Sequence, residues 1–149
     1  MGNSLSSEKI RELAKSLDVA IERHDIEGLV SYFSETCEIQ LPGIRLNGHK
    51  GLRKAIRWIY RYLKEIILIP VTIMIQGNTF FEEFIVKAKV SNGDIEVRQA
   101  EVLVYDNDYK VQEIRLYFDR LELGQAFSSN LFDRILIRKV NKASLKGLQ

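Results

Sequence analysis

The stretch "KVQEIRLYFDRLELGQAF", residues Lys110–Phe127, joins a strand pattern to a helix pattern. Successive side chains of a strand point to opposite faces, so apolar residues at every second position predict one apolar face for a strand over 110–118. These residues are Ile114, Leu116 and Phe118. Asp119 comes next and Glu122 follows three residues later, an arrangement typical of a capping box at a helix start. A catalytic carboxylate facing a pocket is the alternative interpretation of Asp119.

Upstream of this stretch, strand-like alternation continues over three more segments that are separated by turn residues. The predicted strands cover residues 68–76, 79–90, 95–105 and 110–118. Helical spacing comes earlier in the chain, over 6–25, 26–33 and 49–66, with a brief strand at 37–41. Helices followed by an antiparallel meander predict an α+β domain, with the helices packed on one face of a curved sheet.

The bulk composition limits the classes of site that the chain can hold. Its 149 residues fit one domain with a buried core. One cysteine excludes an internal disulfide framework, and together with two histidines it excludes a Cys/His zinc site. We expect no metal and no cofactor. No segment approaches the roughly 20 apolar residues that span a bilayer, and the N-terminus lacks the apolar core of a signal peptide. These observations favour a cytoplasmic location.

Basic residues are concentrated in two segments. Residues 49–64 contain six lysines and arginines and no acid, and residues 128–149 contain five against one acid. The first segment forms a basic helical stripe with aromatic residues nearby, which can bind nucleic acid or an acidic partner, although a solvated helix face is the simpler interpretation. The second is amphipathic and is expected to close a pocket or pack on a second subunit. Its apolar residues are Leu131, Phe132, Ile135, Leu136 and Val140.

The segments "AIERHDIEGLVSYFSETCEIQ", "LNGHKGLRKAI" and "KVQEIRLYFDRLELGQAF" together resemble the nuclear-transport-factor-two-like superfamily. That superfamily includes ketosteroid isomerase, SnoaL-like polyketide cyclases and limonene-epoxide hydrolase. The resemblance covers about residues 7–127. It implies a cone-shaped curved antiparallel sheet wrapped around N-terminal helices, an interior cavity and a homodimer. We therefore expect one such domain over residues 1–127. Residues 128–149 are expected to be a basic C-terminal extension, helical or extended, on the same domain or its dimer mate.

The resemblance does not extend to the catalytic residues of limonene-epoxide hydrolase. When the two sequences are aligned on "YFD" and on the glycine of "SNGD", the carboxylates of that enzyme fall on Ile85 and Leu116. Its arginine falls on Glu83, and its water-positioning tyrosine and asparagine fall near Ile39 and Leu41. Aliphatic side chains carry no protons for acid–base work, so epoxide hydrolysis by that mechanism is not supported.

An assumed strand register defines the candidate ligand site. We place Ile85 opposite Ala100 and Ala100 beside Ile114, which gives the inward face an apolar middle and polar ends. The predicted ligand-binding residues are Ile39, Leu41, Glu83, Ile85, Lys87, Arg98, Ala100, Ile114, Leu116 and Phe118. The residues assigned to the outer face, for a dimer interface, are Phe84, Val86, Gln99, Glu101, Leu103, Arg115 and Tyr117.

Three charged residues of this predicted face have alternative interpretations. In an apolar cavity, desolvation would raise the pKa of Glu83 toward the range of a general base. Alternatively, Glu83 is a rim carboxylate that is solvated or paired with a basic side chain. Lys87 and Arg98 are predicted neighbours across a hairpin and would repel each other unless a carboxylate or an anionic ligand head group lies between them.

Three functions follow from these observations. The first is the binding of a small apolar or amphipathic molecule in an internal cavity. The second is an isomerase or cyclase reaction with Glu83 or Asp119 as general base. The third is a non-catalytic protein-interaction or nucleic-acid-binding module that uses the basic helix at 49–64.

Overall fold

A computed structural model describes residues 5–128 and 130–148 of the chain. Five helices and six strands lie within this part. In chain order they are α1 (Ser7–Glu22), α2 (Ile26–Ser31), β1 (Phe33–Leu41), β2 (Ile44–Asn47), α3 (Gly48–Tyr62), β3 (Lys64–Gln76), β4 (Thr79–Val90), β5 (Gly93–Tyr105), β6 (Val111–Tyr117), α4 (Arg120–Phe127) and α5 (Leu131–Ser144).

The strands form one open, curved sheet in the order β2-β1-β6-β5-β4-β3. β1 and β6 run parallel, and every other pair of neighbours is antiparallel. Side chains of α1, α2 and α3 share one hydrophobic core with the inner face of the sheet. The predicted α+β class, with N-terminal helices against a curved sheet and a helical C-terminal tail, is confirmed.

The N-terminal helices begin where the sequence places capping residues. The Ser6 hydroxyl accepts a hydrogen bond from the Lys9 amide at 3.3 Å, and the Asp25 carboxylate accepts one from Gly28 at 2.9 Å. Each bond satisfies an amide that has no partner within the first turn of its helix. α1 then buries a helical stripe against the sheet, consisting of Ile10, Ala14, Leu17 and Ala20.

The short strand β2 was not predicted. The predicted strand at 37–41 ends before Pro42-Gly43, and these two residues form the turn of a hairpin in which Leu41 pairs with Ile44. Gly43 has a φ of 84°, a left-handed conformation that glycine adopts without steric cost. The hairpin places α3 directly after β2, and the basic segment therefore follows the edge of the sheet.

The predicted faces of β4 and β5 are wrong. Ile85 lies opposite Arg98 rather than Ala100, and Ala100 lies opposite Tyr117 rather than beside Ile114. The first error is a shift of two residues between β4 and β5. An even shift does not change which positions of the two strands share a face. The second is an odd shift of three residues (117 against 114), and an odd shift exchanges the faces of a strand.

A β-bulge in β6 accounts for the odd shift. Tyr105 pairs with Val111 and Val104 pairs with Glu113, so Gln112 is an extra residue with no partner on β5. In β6 the even positions face the core, as predicted. In β4 the even positions face the core and in β5 the odd positions do, which is the reverse of the prediction for both strands. The residues predicted outside but buried in the core are Phe84, Val86, Gln99, Glu101 and Leu103.

The C-terminal segment consists of two short helices. α4 buries Leu123, whereas α5 buries no residue among those described. The two helices approach closely at Gly124, where an added Cβ would lie 3.5 Å from the Ile137 side chain. That residues 128–149 form an extension of a domain over 1–127 remains a prediction. No helix in the described ranges is long and apolar enough to cross a membrane.

Candidate functional site

A cavity of about 130 Å³ lies between the inner face of the sheet and helices α1, α3 and α4. Aliphatic and aromatic side chains make up nearly all of its wall. Five of the predicted ligand-binding residues are among them, namely Ile39, Leu41, Ile114, Leu116 and Phe118. That these five bind a ligand remains a prediction.

Aromatic side chains of α3 and α4 form one end of the cavity. Trp58 and Phe127 both line it and meet edge to face, with ring centroids 6.2 Å apart. Tyr62 stacks on Phe127 with ring centroids 4.8 Å apart, and it also meets Trp58 edge to face at 5.6 Å. A second, open groove on the far side of these rings reaches α5. α4 rather than α5 therefore supplies the C-terminal side chains that line the cavity.

The other five predicted ligand-binding residues lie on the outer face of the sheet, away from the cavity. They are Glu83, Ile85, Lys87, Arg98 and Ala100. Arg98 donates a hydrogen bond to Glu83 at 2.7 Å, and this bond is the main cause that lowers the pKa of Glu83. The interpretation that places Glu83 in an apolar cavity is wrong, and the alternative of a carboxylate paired with a basic side chain is confirmed.

Lys87 and Arg98 do not depend on an anionic ligand for their charge balance. Lys87 lies opposite Glu96 and forms an ion pair with it at 3.3 Å, while Arg98 pairs with Glu83. Both basic side chains are about half exposed or more. The basis for an anionic head group between them is therefore removed.

Asp119 caps α4. Its carboxylate accepts hydrogen bonds from the amides of Leu121 at 2.8 Å and Glu122 at 3.3 Å. The predicted cap is confirmed. Asp119 is exposed and is not among the residues that line the cavity, so its geometry favours the structural interpretation over the catalytic one.

Three carboxyl groups outside the predicted site residues meet beside the cavity. Asp18 on α1, Glu82 on β4 and Glu101 on β5 each place an oxygen within 4.8 Å of the other two. Glu82 is 2% exposed and Glu101 is 5% exposed. Asp18 and Glu101 line the cavity itself. The prediction of an inward face with an apolar middle does not include these proton-carrying groups.

Burial raises the pKa of each member of this acidic trio (Asp18, Glu82 and Glu101). The pKa of Glu101 rises to about 8, through loss of solvation and then through repulsion from Asp18 and Glu82. The pKa of Asp18 rises to about 7 for the same reasons, with Glu82 and Glu22 as the repelling charges. Loss of solvation raises the pKa of Glu82 to about 7. At neutral pH the trio therefore shares protons, and one member can donate a proton while another accepts one.

Carboxylate oxygens at this spacing are also suitable ligands for a divalent cation. Asp18, Glu82 and Glu101 are the residues that could hold one. The sequence excludes a zinc site built from cysteine and histidine, but that exclusion does not apply to oxygen ligands.

The sequence contains two signals for the trio. Asp18 lies four residues after Ala14 and three before Ile21, inside the apolar stripe of α1. In β4 the even positions carry one charge, at Glu82, whereas the odd positions carry three, which predicts that the even positions face the core. Neither signal shows that the three carboxyl groups would meet.

Comparison with proteins of known structure identifies the architecture. An NTF2-like protein of unknown function from Burkholderia pseudomallei superposes with a TM-score of 0.74 at 16% identity, over 80% of this chain and 98% of that one. A putative SnoaL-like polyketide cyclase from Shewanella denitrificans gives 0.70 at 12% identity, over 78% and 95%. This chain has the nuclear-transport-factor-two-like (NTF2-like) fold.

A third similar structure is that of the epoxide hydrolase/cyclase-like enzyme SalBIII, which has a role in pyran ring formation in the polyether salinomycin. It superposes with a TM-score of 0.70 at 14% identity, over 78% of this chain and 95% of that one. No known protein-family profile matches the sequence, and no curated protein matches it either. At these identities the comparisons establish the fold alone.

The basic stripe of this NTF2-like chain lies on the side of α3 that faces solvent. Lys50, Lys54, Arg57 and Arg61 are exposed, whereas Leu52, Ala55, Ile56 and Tyr60 are buried. Trp58 and Tyr62, the aromatic residues beside the stripe, pack against Phe127 of α4. The placement agrees with a solvated helix face, and binding of nucleic acid or an acidic partner stays a prediction.

Proposed function

We propose that this chain binds a small, largely apolar molecule in the cavity between the sheet and helices α1, α3 and α4. The cavity and its apolar wall carry the proposal. A void of this volume costs on the order of 3 kcal/mol of stability when it stays empty. An apolar cavity of similar size, about 150 Å³, holds benzene in another protein. A bound molecule of that size would recover part of the cost.

Benzene is a suitable probe for this proposal. We expect it to bind with a saturable shift of the backbone amide resonances of cavity residues in a heteronuclear NMR titration. Leu116→Phe, which adds volume inside the cavity, is expected to weaken binding at least tenfold. Ile85→Phe adds a comparable volume on the outer face of the sheet and is expected to leave the affinity unchanged. Absence of saturable benzene binding by the wild type would contradict the proposal.

The acidic trio supports a second candidate, an isomerase or cyclase that acts on a carbon acid. One carboxylate removes a proton next to a carbonyl group, and a neighbouring carboxylic acid donates a hydrogen bond to the carbonyl oxygen. The pKa values of Asp18 and Glu101, about 7 and about 8, suit both tasks near neutral pH. In this candidate Asp18 and Glu101 replace Glu83 and Asp119 as the acid–base residues.

Exchange of hydrogen for deuterium in cyclohexanone tests the enzyme candidate without knowledge of the substrate. In D₂O the protein is expected to accelerate exchange next to the carbonyl group, as followed by proton NMR. Glu101→Gln is expected to slow this exchange by about 10²-fold or more, because general acid–base catalysis contributes on that scale. Glu83→Gln is the matched control on the outer face. A rate equal to that in buffer would contradict catalysis and leave the binding proposal intact.

A further inference from the structure

The polar groups of the cavity are concentrated at one end of an otherwise apolar space. Among its lining residues, Asp18, Gln99 and Glu101 carry an acid or an amide. Gln99 and Glu101 are two residues apart on β5 and therefore point to the same face. A molecule in this cavity would meet hydrocarbon and aromatic rings along its body and oxygen atoms at one end.

The charged groups around this end are all acids. Glu22 on α1 and Glu82 on β4 repel Asp18, and Glu82 also repels Glu101. Burial raises the pKa of the Tyr105 hydroxyl on β5, and the charges of Glu101 and Asp18 raise it further. Tyr60 of α3 also lines the cavity, and its hydroxyl donates a hydrogen bond to the Ile21 carbonyl. No basic side chain is among the groups that shift the pKa values of the trio.

Two buried polar groups outside the trio have unused hydrogen-bonding capacity. Gln99 is 8% exposed and lines the cavity, and its amide takes part in no side-chain hydrogen bond within residues 5–128 and 130–148. The Tyr105 hydroxyl is buried and has no partner within the same ranges. Buried amides and hydroxyls are nearly always hydrogen-bonded in folded proteins. The Gln99 amide therefore points to a polar group of a ligand at this end of the cavity.

We infer that the ligand is a small apolar primary amine, whose ammonium group binds Asp18, Glu101 and Gln99 while its hydrocarbon body fills the cavity. The inference rests on the proposed binding function and adds the chemical class of the ligand. A primary ammonium has three N–H donors, and the two carboxylates and the Gln99 carbonyl oxygen are three acceptors. Hydrogen bonds between charged partners are about twice as strong as neutral ones.

Other head groups fit the same end of the cavity less well. A carboxylate or phosphate would add a negative charge beside Asp18, Glu82 and Glu101, and like charges in a poorly solvated site repel each other strongly. An alcohol has one donor and no charge, so it would leave acceptors unused. We therefore expect affinity to fall in the order amine, alcohol, acid for ligands of one shape.

Binding of an ammonium ion should release a proton. The empty trio shares protons at neutral pH, and a bound cation favours the ionised carboxylates, so the displaced proton passes to the solvent. An alkylamine resembles the lysine side chain, with a pKa of about 10.4, and stays charged throughout the titration of the trio. Affinity for the amine should therefore rise on the order of tenfold between about pH 6 and about pH 8.

Three probes of similar size separate this inference from the proposed function. Cyclopentylamine, cyclopentanol and benzene have equal numbers of non-hydrogen atoms and differ in the polar group. Dissociation constants from NMR titrations, with EDTA present to keep divalent cations off the carboxyl groups, are compared at about pH 6 and about pH 8. We expect cyclopentylamine to bind at least about tenfold more tightly than cyclopentanol at the higher pH.

Two variants test the role of the carboxyl groups. Glu101→Gln and Asp18→Asn keep the side-chain shape and remove one charge each, and both are expected to abolish the preference for the amine and its pH dependence. Glu83→Gln, the same change on the outer face, is expected to retain both. Equal affinities for cyclopentylamine and cyclopentanol, with benzene still bound, would overturn the amine inference and leave the proposed function in place. Failure of all three probes to bind would overturn both.

Discussion

Glu101 is an ionisable side chain placed where its charged form is unfavourable. It is 5% exposed, and its pKa is about 8, chiefly because burial removes its solvation. Glu83, on the same sheet, faces the opposite way and has a lowered pKa because Arg98 donates a hydrogen bond to it. Two glutamates in neighbouring strands therefore differ in acidity because they lie on different faces of the sheet.

Glu101→Gln is expected to change the pH dependence of stability. An unfolded glutamate has a pKa of about 4.3, so between about pH 4 and about pH 8 the unfolded chain has lost a proton that the folded chain retains. The free energy of unfolding therefore falls as the pH rises through this window. The variant should be more stable than the wild type at pH 8 and show a smaller decrease from pH 5 to pH 8 in urea titrations.

Glu83→Gln is the control for that experiment. Its carboxylate belongs to an exposed ion pair, and such pairs contribute little to stability. Because its folded pKa is lowered, any stability it contributes is present above its unfolded pKa and lost as the pH falls. A wild-type protein that gains stability from pH 5 to pH 8 would contradict the burial of Glu101.

Asp119→Ala is expected to destabilise the protein by about 1 kcal/mol through loss of the α4 cap. Thermal unfolding followed by circular dichroism measures the change. Asp108→Ala, an exposed aspartate in the β5–β6 turn, is the control and should alter the midpoint much less. If Asp119 acts only as a cap, the variant retains benzene binding, whereas loss of binding in a folded variant would reveal a role at the cavity.

At the scale of elements, α4 separates the cavity from the groove beside α5. Phe127 lines both the cavity and the groove, and its ring contacts those of Trp58 and Tyr62. Asp119 caps the start of this short helix, and the middle of the helix lies against Ile137 of α5 at Gly124. We therefore expect the Phe127 ring to control access to the cavity from this side.

Phe127→Ala is expected to open the cavity toward the groove. Removal of the ring should lower stability by about 2 kcal/mol and increase the dissociation rate of benzene severalfold, as measured by NMR exchange broadening. Phe132→Ala on α5, where the side chain is 70% exposed, is the matched control and should change neither quantity appreciably. Equal dissociation rates in the wild type and Phe127→Ala would show that ligands pass by another route.

At the scale of the whole molecule, the outer face of the sheet exposes apolar residues. Ile67, Ile69, Met74 and Tyr117 share this face and are between 37% and 58% exposed. Exposed apolar patches often mark protein interfaces. The residues first assigned to a dimer interface face the core, apart from Arg115 and Tyr117, so this set replaces them.

We expect a homodimer through this outer face. Sedimentation velocity should give twice the monomer mass for the wild type, and Ile69→Glu should shift it toward monomer because a charge would be buried. Leu131→Glu introduces the same charge on the exposed face of α5 and is expected to leave the mass unchanged. The opposite pattern would assign the interface to α5, and a monomeric wild type would contradict the prediction.

The sequence by itself determined the order and approximate limits of most elements. Helix caps at Ser6, Asp25 and Asp119 are local signals, since the capping oxygen and the amide it accepts from lie within three residues of each other. The turns between β3, β4 and β5 are equally local. The alternation in β6 also placed Ile114, Leu116 and Phe118 on the cavity side.

Only the tertiary structure decided the register that joins β5 to β6 and which polar groups meet in the interior. Side chains alternate with a period of two, so the single extra residue at Gln112 reverses every face assigned across that hairpin. The acidic trio joins a helix and two strands that are far apart in sequence. Its members meet because the packing of α1 on the sheet brings them together. No local sequence pattern indicates that these three carboxyl groups lie close to one another.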